Sequence, residues 1–466
     1  MSVGSTTTYT KVNPWRPGEV VGEFAAATPA DVEAAVGAAS DAFRAWSRSP
    51  LATRGSYLLA AAASLERRAD EIATDMSTEM GKPIREARGE TLRAAQILRF
   101  FAGEAYRAVG EQFEQSASGA LVATRRRPLG VVGLITPWNF PIAIPVWKLA
   151  PALMYGNTVV LKLAFEAPRT GLHVAEAFAE ASLPPGVLNV LTGRGSTAGA
   201  ALVEEPRVRA ISFTGSVGTG HGVRDSATAA GKRVQLELGG HNPLIVMADA
   251  ELGRAVESAY AGAFWSAGQK CTATRRIYVQ NAVYDEFRAA FLARIERGAV
   301  GDPLDPATEV GPIVSESQFD DVLAAIERGR DEGGTILTGG GRAHDEAFLI
   351  APTVFENVAD DGFLSCEEVF GPVTSLYHFD DYDEAVARAN AVPFGLSAAI
   401  FTTSLATSSR FQDDAEAGLI HVNSQTAGAE VHVPFGGIKA SGYGPHEQGG
   451  AAIEFYTDLV TVYVDP

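Results

Sequence analysis

From about residue 130 onward, short β-branched runs alternate with helical stretches at a spacing that leaves the chain few folds to adopt. The runs VVGLIT (131–136), TVVLK (158–162), VLNVL (187–191) and VRAISF (208–213) read as strands. Between them PIAIPVWKLAPALM, PRTGLHVAEAFAEA and TAGAALVEE read as helices, and a further helix is expected after Gly220. Strand, helix, strand at this spacing requires crossover connections, hence an open parallel sheet covered by helices. A second α/β series runs from about 243 to 425, with strands near PLIVM, RRIYVQ, TILTG, SAAIF and LIHVN. The expected fold is therefore α/β with two open parallel-sheet domains, joined near Leu236-Glu237-Leu238-Gly239-Gly240. Clefts between domains are common ligand sites.

The first third reads as helical. Thr28-Pro29-Ala30-Asp31 offers an N-cap, a proline at the first helical position and an acid in the first turn. Amphipathic stretches follow over roughly 29–47, 51–79 and 82–108. Two strand-like segments fit neither series, FEQSASGALVATRRRPLG and the tail EFYTDLVTVYVDP; they pair with each other or with another subunit, and the sequence leaves both pairings open.

Charge narrows the function classes. With 38 Lys and Arg against 56 Asp and Glu the net charge is -18, which disfavours nucleic acid or an anionic membrane as partner. The run Arg125-Arg126-Arg127 reads as a solvated strand end. No stretch of about 18 apolar residues occurs, and MSVGSTTTYTKVNPW lacks a basic region followed by an apolar core, so a cytoplasmic protein is expected. Of two cysteines, Cys271 and Cys366, neither has a CxxC partner or a His cluster, and no metal site is expected.

Cys271 sits in Gly268-Gln269-Lys270-Cys271-Thr272, 34 positions after Glu237. A rare thiol with an acid nearby in sequence suits covalent catalysis, although a lone cysteine is more often a small packing residue. In Thr136-Pro137-Trp138-Asn139-Phe140-Pro141, two prolines restrict the backbone around Asn139, whose amide then suits an oxyanion; the bland alternative is a turn asparagine. Gly215-Ser216-Val217-Gly218-Thr219-Gly220 is a glycine-rich turn between strand and helix whose N–H groups suit a pyrophosphate, and it lacks the Lys-Ser/Thr pair of a P-loop. Gly193-Arg194-Gly195-Ser196-Thr197-Ala198 fits the dinucleotide fingerprint formally, without the acid expected some twenty residues on. Lys162 ends a strand at the carboxyl edge of the sheet, where ligands of such sheets bind. In Glu367-Glu368-Val369-Phe370, Glu368 and Phe370 point the same way if the segment is extended.

Taken in order, TPWNFP, VVLK, FTGSVGTG, LELGG, GQKC, EEVFGP and PFGGIKASGYG resemble the NAD(P)-dependent aldehyde dehydrogenase superfamily from about residue 12 to the C-terminus. The resemblance implies a cofactor domain (1–112 and 129–238), a catalytic domain (239–445) and bridging segments (113–128 and 446–466) that serve a homodimer or homotetramer. It implies that Cys271 attacks an aldehyde, that Asn139 and the Cys271 N–H stabilise the oxyanion, and that Glu237 activates water to hydrolyse the thioester. Retention of Glu237 disfavours the CoA-acylating branch. For the cofactor it implies Lys162 at the adenosine ribose, Glu368 and Phe370 at the nicotinamide ribose, and Ser216 and Trp138 at the pyrophosphate. Gly215 and Gly220 would shape the turn, and Thr136, Phe165 and Gly195 complete the set.

Departures from the family pattern carry their own expectations. His241 replaces a lysine, so the charge near the base is expected to depend on pH. Leu163 replaces a proline. Phe165 stands where NAD-preferring members often carry glutamate; without that carboxylate a 2'-phosphate is not repelled, and NADP is expected to be accepted beside NAD.

Four segments, among them GETLRAAQILRFFAGEAYR and FWSAGQKCTATRRIYV, are similar to 2,5-dioxopentanoate (α-ketoglutarate semialdehyde) dehydrogenases. A carboxylated aldehyde needs a polar or cationic partner, for which Lys270, turned either to the pocket or to solvent, and Gln425 are candidates, with Thr272 beside the nucleophile. The alternative is an aliphatic or aromatic aldehyde in an apolar funnel of Phe140, Trp147 and Phe264. A catalytically silent binding protein of this fold would be expected to lose the nucleophile or the base, and both are present.

Overall fold

The computed structural model describes residues 7–107, 110–114 and 119–465. The first series forms one sheet in the order Leu188–Leu191, Thr158–Lys162, Val131–Ile135, Val208–Thr214, Arg233–Glu237, all parallel, with Gly442–Tyr443 antiparallel at the end. Val131–Ile135 and Thr158–Lys162 are buried at every position, which is why they read as continuous apolar runs rather than alternating ones. Sequence order reverses between Val131–Ile135 and Val208–Thr214. The loops leaving these two strands therefore depart to opposite faces and open a crevice at their carboxyl ends. They are the TPWNFP and Gly215-Ser216 segments.

The second series forms a sheet in the order Thr335–Thr338, Thr353–Glu356, Val373–Phe379, Thr274–Gln280, Asn242–Val246, Ser397–Phe401, Leu419–Val422. Only the outermost strand, Thr335–Thr338, runs antiparallel to its neighbour. Residues 238–241 carry the chain from Arg233–Glu237 in the first sheet to Asn242–Val246 in the second, so Glu237 lies at the crossing. The described parts of the two orphan segments pair with each other, Thr457–Val464 lying antiparallel to Leu121–Pro128, from Thr457↔Pro128 to Val464↔Leu121; residues 115–118 and 466 of these segments lie outside the described residues. Gln112–Phe113 flanks them.

The helix Pro29–Ser47 starts as its sequence requires, with Asp31 N donating to Thr28 Oγ1 at 3.3 Å and Thr28 N to Asp31 Oδ2 at 2.8 Å. Four expectations need correction. The 51–79 stretch is two helices, Leu51–Arg67 and Ala69–Met80, parted at Arg68 (φ -100°, ψ 12°), whose guanidinium is held by Glu71 and Glu176. The 82–108 stretch is helical over Ile84–Gly103 and a short turn at Glu104–Tyr106, beginning after Pro83 as a helix-starting proline favours; residue 108 lies outside the described residues. Residues 8–25, within the third expected to be helical, are a hairpin of Thr8–Val12 and Val20–Ala25. The helix after the glycine-rich turn begins at Val217, before Gly220. No helix among the described residues is long and apolar enough to cross a membrane.

Candidate active site

After the helix Leu252–Phe264 the chain makes a tight turn, Trp265–Gly268, in which Ser266 and Ala267 have φ of 57° and 53°. Left-handed geometry at two non-glycine residues costs about 1 kcal/mol or more each, so the surroundings must hold it. Glu86 does so, accepting from Ser266 N at 3.0 Å and Ser266 Oγ at 2.6 Å. Gly268 is also left-handed, and a Cβ there would collide with the carbonyl oxygen of Gly371. Gln269 completes the brace, its Nε2 donating to Ser266 O and Pro312 O and its Oε1 accepting from Val314 N. The turn delivers Cys271 just ahead of the strand Thr274–Gln280.

Two openings meet at Cys271. One, a cleft of about 290 Å³, is lined by Trp138, Asn139, Gly215, Ser216, Glu368 and Phe370. Five of the ten cofactor-side residues expected from the sequence, Trp138, Gly215, Ser216, Glu368 and Phe370, thus share one crevice, at the point where the strand order reverses. Trp138 meets Phe370 edge to face at 5.5 Å between ring centroids. The other opening, about 360 Å³, is a funnel that includes Phe140, Trp147, Lys270 and Thr272, with Trp265 and Arg93. Phe264 is fully buried in the core of the second sheet instead of lining the funnel. Gln425 is not part of the funnel wall either; its side chain packs beside Gly262.

Asn139 is buried, and its Nδ2 donates to Gln269 O at 3.1 Å. An amide has two N–H groups, so this bond orients the side chain and leaves the second hydrogen for another acceptor. Burial, then the carboxylates of Glu368 and Glu237, push the Cys271 thiol up to about 12, while the N–H groups of Thr272 and Cys271 face the sulfur and oppose that shift. Glu237 is buried, and its Oε2 has no hydrogen-bond partner among the described residues. Burial and then Glu447 raise its carboxyl well above the usual range, against Lys148. Lys148 is itself paired with Glu447 and donates to Ser212 Oγ at 2.8 Å. Glu368 is raised to about 7 by burial, against Arg275, and accepts from Gly240 N at 3.1 Å. A Cβ on Gly239 would collide with that carboxylate.

Lys270 does not turn to solvent. Its Nζ is buried, donates to Ala261 O at 3.0 Å, and is lowered to about 8 by burial against the pull of Glu86. His241 also departs from its expectation: burial, then Arg276 and Arg275, hold its imidazole well below the usual range, so it stays neutral and brings no pH-dependent charge.

At the carboxyl edge of Thr158–Lys162, Lys162 is buried and lowered to about 8 by burial, and its Nζ makes no hydrogen bond among the described residues. Thr136 N donates to its carbonyl at 3.2 Å, and Gly199, in the turn Gly195–Gly199, lies beside its side chain. Phe165 stacks on Tyr9 at 4.2 Å, with the Arg194 guanidinium 4.5 Å above its ring. Ser216 precedes the helix Val217–Ala229, which has no side-chain cap, and its first N–H groups are open to an anion. Gly220 lies within that helix, packed against Leu238. A buried ammonium without a protein acceptor, an uncapped helix start and a crevice walled by Trp138 and Phe370 suit a dinucleotide.

Sequence reasoning missed three contributors: Arg93 in the funnel, Gln318 in the cleft, and the buried pair Lys82 and Glu90 beneath the Asn139 loop. Arg93 lies in GETLRAAQILRFFAGEAYR, a segment singled out for its similarity, but its reach to the Ala429 carbonyl depends on a contact 336 residues away.

The profile of the Aldehyde dehydrogenase family matches residues 2–462. An α-ketoglutaric semialdehyde dehydrogenase of Bacillus subtilis (strain 168) is 45% identical over 458 residues, covering 97% of this chain and 94% of that protein. A betaine aldehyde dehydrogenase of Rhizobium etli is 43% identical, covering 96% and 92%. The solved NAD+ complex of an aldehyde dehydrogenase from Bacillus cereus superposes with a TM-score of 0.96 at 35% identity, covering 98% of this chain and 93% of that one. A cysteine at the meeting of two openings, an amide and a carboxyl beside it, and similarity along nearly the whole length lead to one conclusion: the chain belongs to the aldehyde dehydrogenase family.

Proposed function

We propose that this protein oxidises a carboxylated aldehyde, a semialdehyde such as 2,5-dioxopentanoate, to the carboxylic acid. Cys271 gives its thiol proton to solvent and its Sγ attacks the aldehyde carbon; the developing oxyanion is met by Asn139 Nδ2 and the Cys271 N–H, and loss of hydride from that carbon as the C=O bond re-forms leaves the thioester on Cys271. NAD or NADP, when bound along the cleft, supplies the hydride acceptor. Lys162 and Phe165 hold the adenosine end, with Gly195 and Thr136 beside them, and Ser216 and Trp138 hold the pyrophosphate. Glu368 and Phe370 orient the nicotinamide end. Glu237 takes a proton from the water that attacks the thioester, which releases the acid and frees Cys271. The exposed outer strand Thr457–Val464, with Leu459 and Tyr463 facing outward, offers an edge for a homodimer or homotetramer. A cytoplasmic location belongs to the same reading.

One observation carries the substrate class. Among the funnel's cations, Lys82 is paired with Glu90 and Lys270 lies near Glu86, whereas Arg93 has no ion pair among the described residues and donates only to Ala429 O. The relatives named above act by name on aldehydes of opposite charge. An uncompensated guanidinium in a partly desolvated funnel favours a carboxylate and repels a quaternary ammonium, despite aromatic walls that suit one. Aromatic walls also favour a second reading, an uncharged aliphatic or aromatic aldehyde.

kcat/KM for 2,5-dioxopentanoate is expected to exceed that for propanal, benzaldehyde and betaine aldehyde. Arg93→Met is expected to lower it about 10- to 100-fold, the usual worth of a charge-assisted contact, with propanal unchanged. Equal or better activity on uncharged aldehydes would remove the assignment.

The cofactor expectation gains support from Arg194, which sits over Phe165 where a 2'-phosphate would need a cation. NADP is expected to give at least a hundredth of the kcat/KM of NAD, a gap of no more than about 2.7 kcal/mol. A larger gap in steady-state assays would exclude NADP.

A further inference from the structure

Two opposite charges lie buried under the loop that carries Asn139. Lys82 and Glu90 are 2% and 6% exposed. A buried ion pair contributes little net stability compared with an apolar pair of the same volume, so its presence calls for another reason. Lys82 follows the helix Ala69–Met80, and Glu90 is on the next helix, Ile84–Gly103.

Lys82 Nζ donates to Glu90 Oε2 and, at 2.6 Å, to the backbone carbonyl of Asn139. The same ammonium sits 4.1 Å from the ring centroid of Phe140. The other oxygen of Glu90 accepts from Ile142 N at 3.0 Å and Ala143 N at 3.1 Å, at the start of the helix Ala143–Met154. That helix start has no side-chain cap of its own. One ion pair therefore fastens both ends of the segment 139–143, which separates the cleft from the funnel.

We propose that Lys82 and Glu90 are positioning residues that set the backbone of Asn139, so that its amide meets the oxyanion at Cys271. The inference rests on the reading of Asn139 as the oxyanion donor. Gln269 O holds the Asn139 side chain and Lys82 holds its backbone carbonyl, so its rotamer and its backbone are fixed independently. Such precision matters, because displacement of a catalytic group by about 1 Å can cost about 10²-fold in rate.

The test is a double-mutant cycle on the full chain with an aldehyde and NAD. In Lys82→Met/Glu90→Gln the glutamine oxygen still accepts from residues 142 and 143, and no charge is left unpaired, so what is removed is the tether to Asn139 together with the ammonium over Phe140. Its kcat is expected to fall at least tenfold, with the thermal midpoint and the Kd for NADH, read by fluorescence, nearly unchanged. Asn139→Ala is expected to lose about 10²-fold in kcat. Adding the pair substitution to Asn139→Ala should then cost less than twofold more, because the group being positioned is gone.

An equal further loss in the Asn139→Ala background, or full kcat in the pair variant, would overturn the inference and leave the oxyanion reading intact. Full kcat in Asn139→Ala would overturn the oxyanion reading itself. Should the pair variant fail to fold, Lys82→Arg keeps the charge but moves the donor, and its expected tenfold loss, absent in the Asn139→Ala background, decides the same question.

Discussion

Replacing Cys271 by serine is expected to lower aldehyde oxidation by at least about 10³-fold, followed as NAD(P)H absorbance at 340 nm across a panel of aldehydes. The substitution preserves size, so NADH binding read by fluorescence should persist. The expectation follows from the electrostatics of the site. Burial, Glu368 and Glu237 already hold the thiol at about 12, and a hydroxyl in the same surroundings ionises far less readily. The sign of the thiol shift has a separate consequence. A raised thiol pKa means that only a small fraction is thiolate at neutral pH and that this fraction grows as pH rises toward the pKa. Carbamidomethylation of Cys271 by iodoacetamide in the free protein is therefore expected to accelerate about tenfold per pH unit from 7 to 9, read by mass spectrometry of the Cys271 peptide. A plateau below pH 8 would contradict the raised thiol, and more than a hundredth of wild-type activity in the serine variant would remove Cys271 as nucleophile.

What the sequence made legible shares a physical character. Val131–Ile135 and Thr158–Lys162 are buried on both faces, so local composition alone marks them as central parallel strands. The TPWNFP and Gly215-Ser216 loops follow strands directly, which marks both as leaving carboxyl ends, whereas the reversal of strand order that brings them together is set by the fold. Side chains whose surroundings come from distant parts of the chain were less legible. Lys270 adjoins the nucleophile in sequence, yet its direction depends on the Ala261 carbonyl and on Glu86. His241 reads as a titratable neighbour of the base, and only the fold surrounds it with Arg275 and Arg276. Gln425, expected from the sequence as a polar partner for a carboxylate, does not reach the funnel, whereas its loop neighbours Ala427 to Ala429 line the wall. Arg93 and the Lys82–Glu90 pair sit in ordinary helical surroundings, where a charge normally means solvent. Their contacts with Ala429, Asn139 and Ile142 are long-range and carry no local signal.

Substituting Glu237 by glutamine is expected to separate the two halves of the reaction. Acylation needs Cys271, Asn139 and a hydride acceptor, none of which is removed. Hydrolysis of the thioester needs a group that takes a proton from water, and glutamine cannot. Rapid mixing should therefore give a burst of up to one NADH per site, followed by a steady state slowed about 10²-fold or more. The stalled acyl group should be found on the Cys271 peptide by mass spectrometry. The wild-type pH dependence follows from the raised carboxyl. Burial and Glu447 hold Glu237 well above the usual range, so the proportion able to act as base increases as pH rises through that raised value. The hydrolytic step should accelerate accordingly, and this limb of the profile should be flat in Glu237→Gln. Lys148 opposes Glu447 at this site, so its loss should move the wild-type limb to higher pH. A glutamine variant with full kcat and no burst would show that water is activated by another group, and Glu237 would then be a structural acid at the crossing between the two sheets.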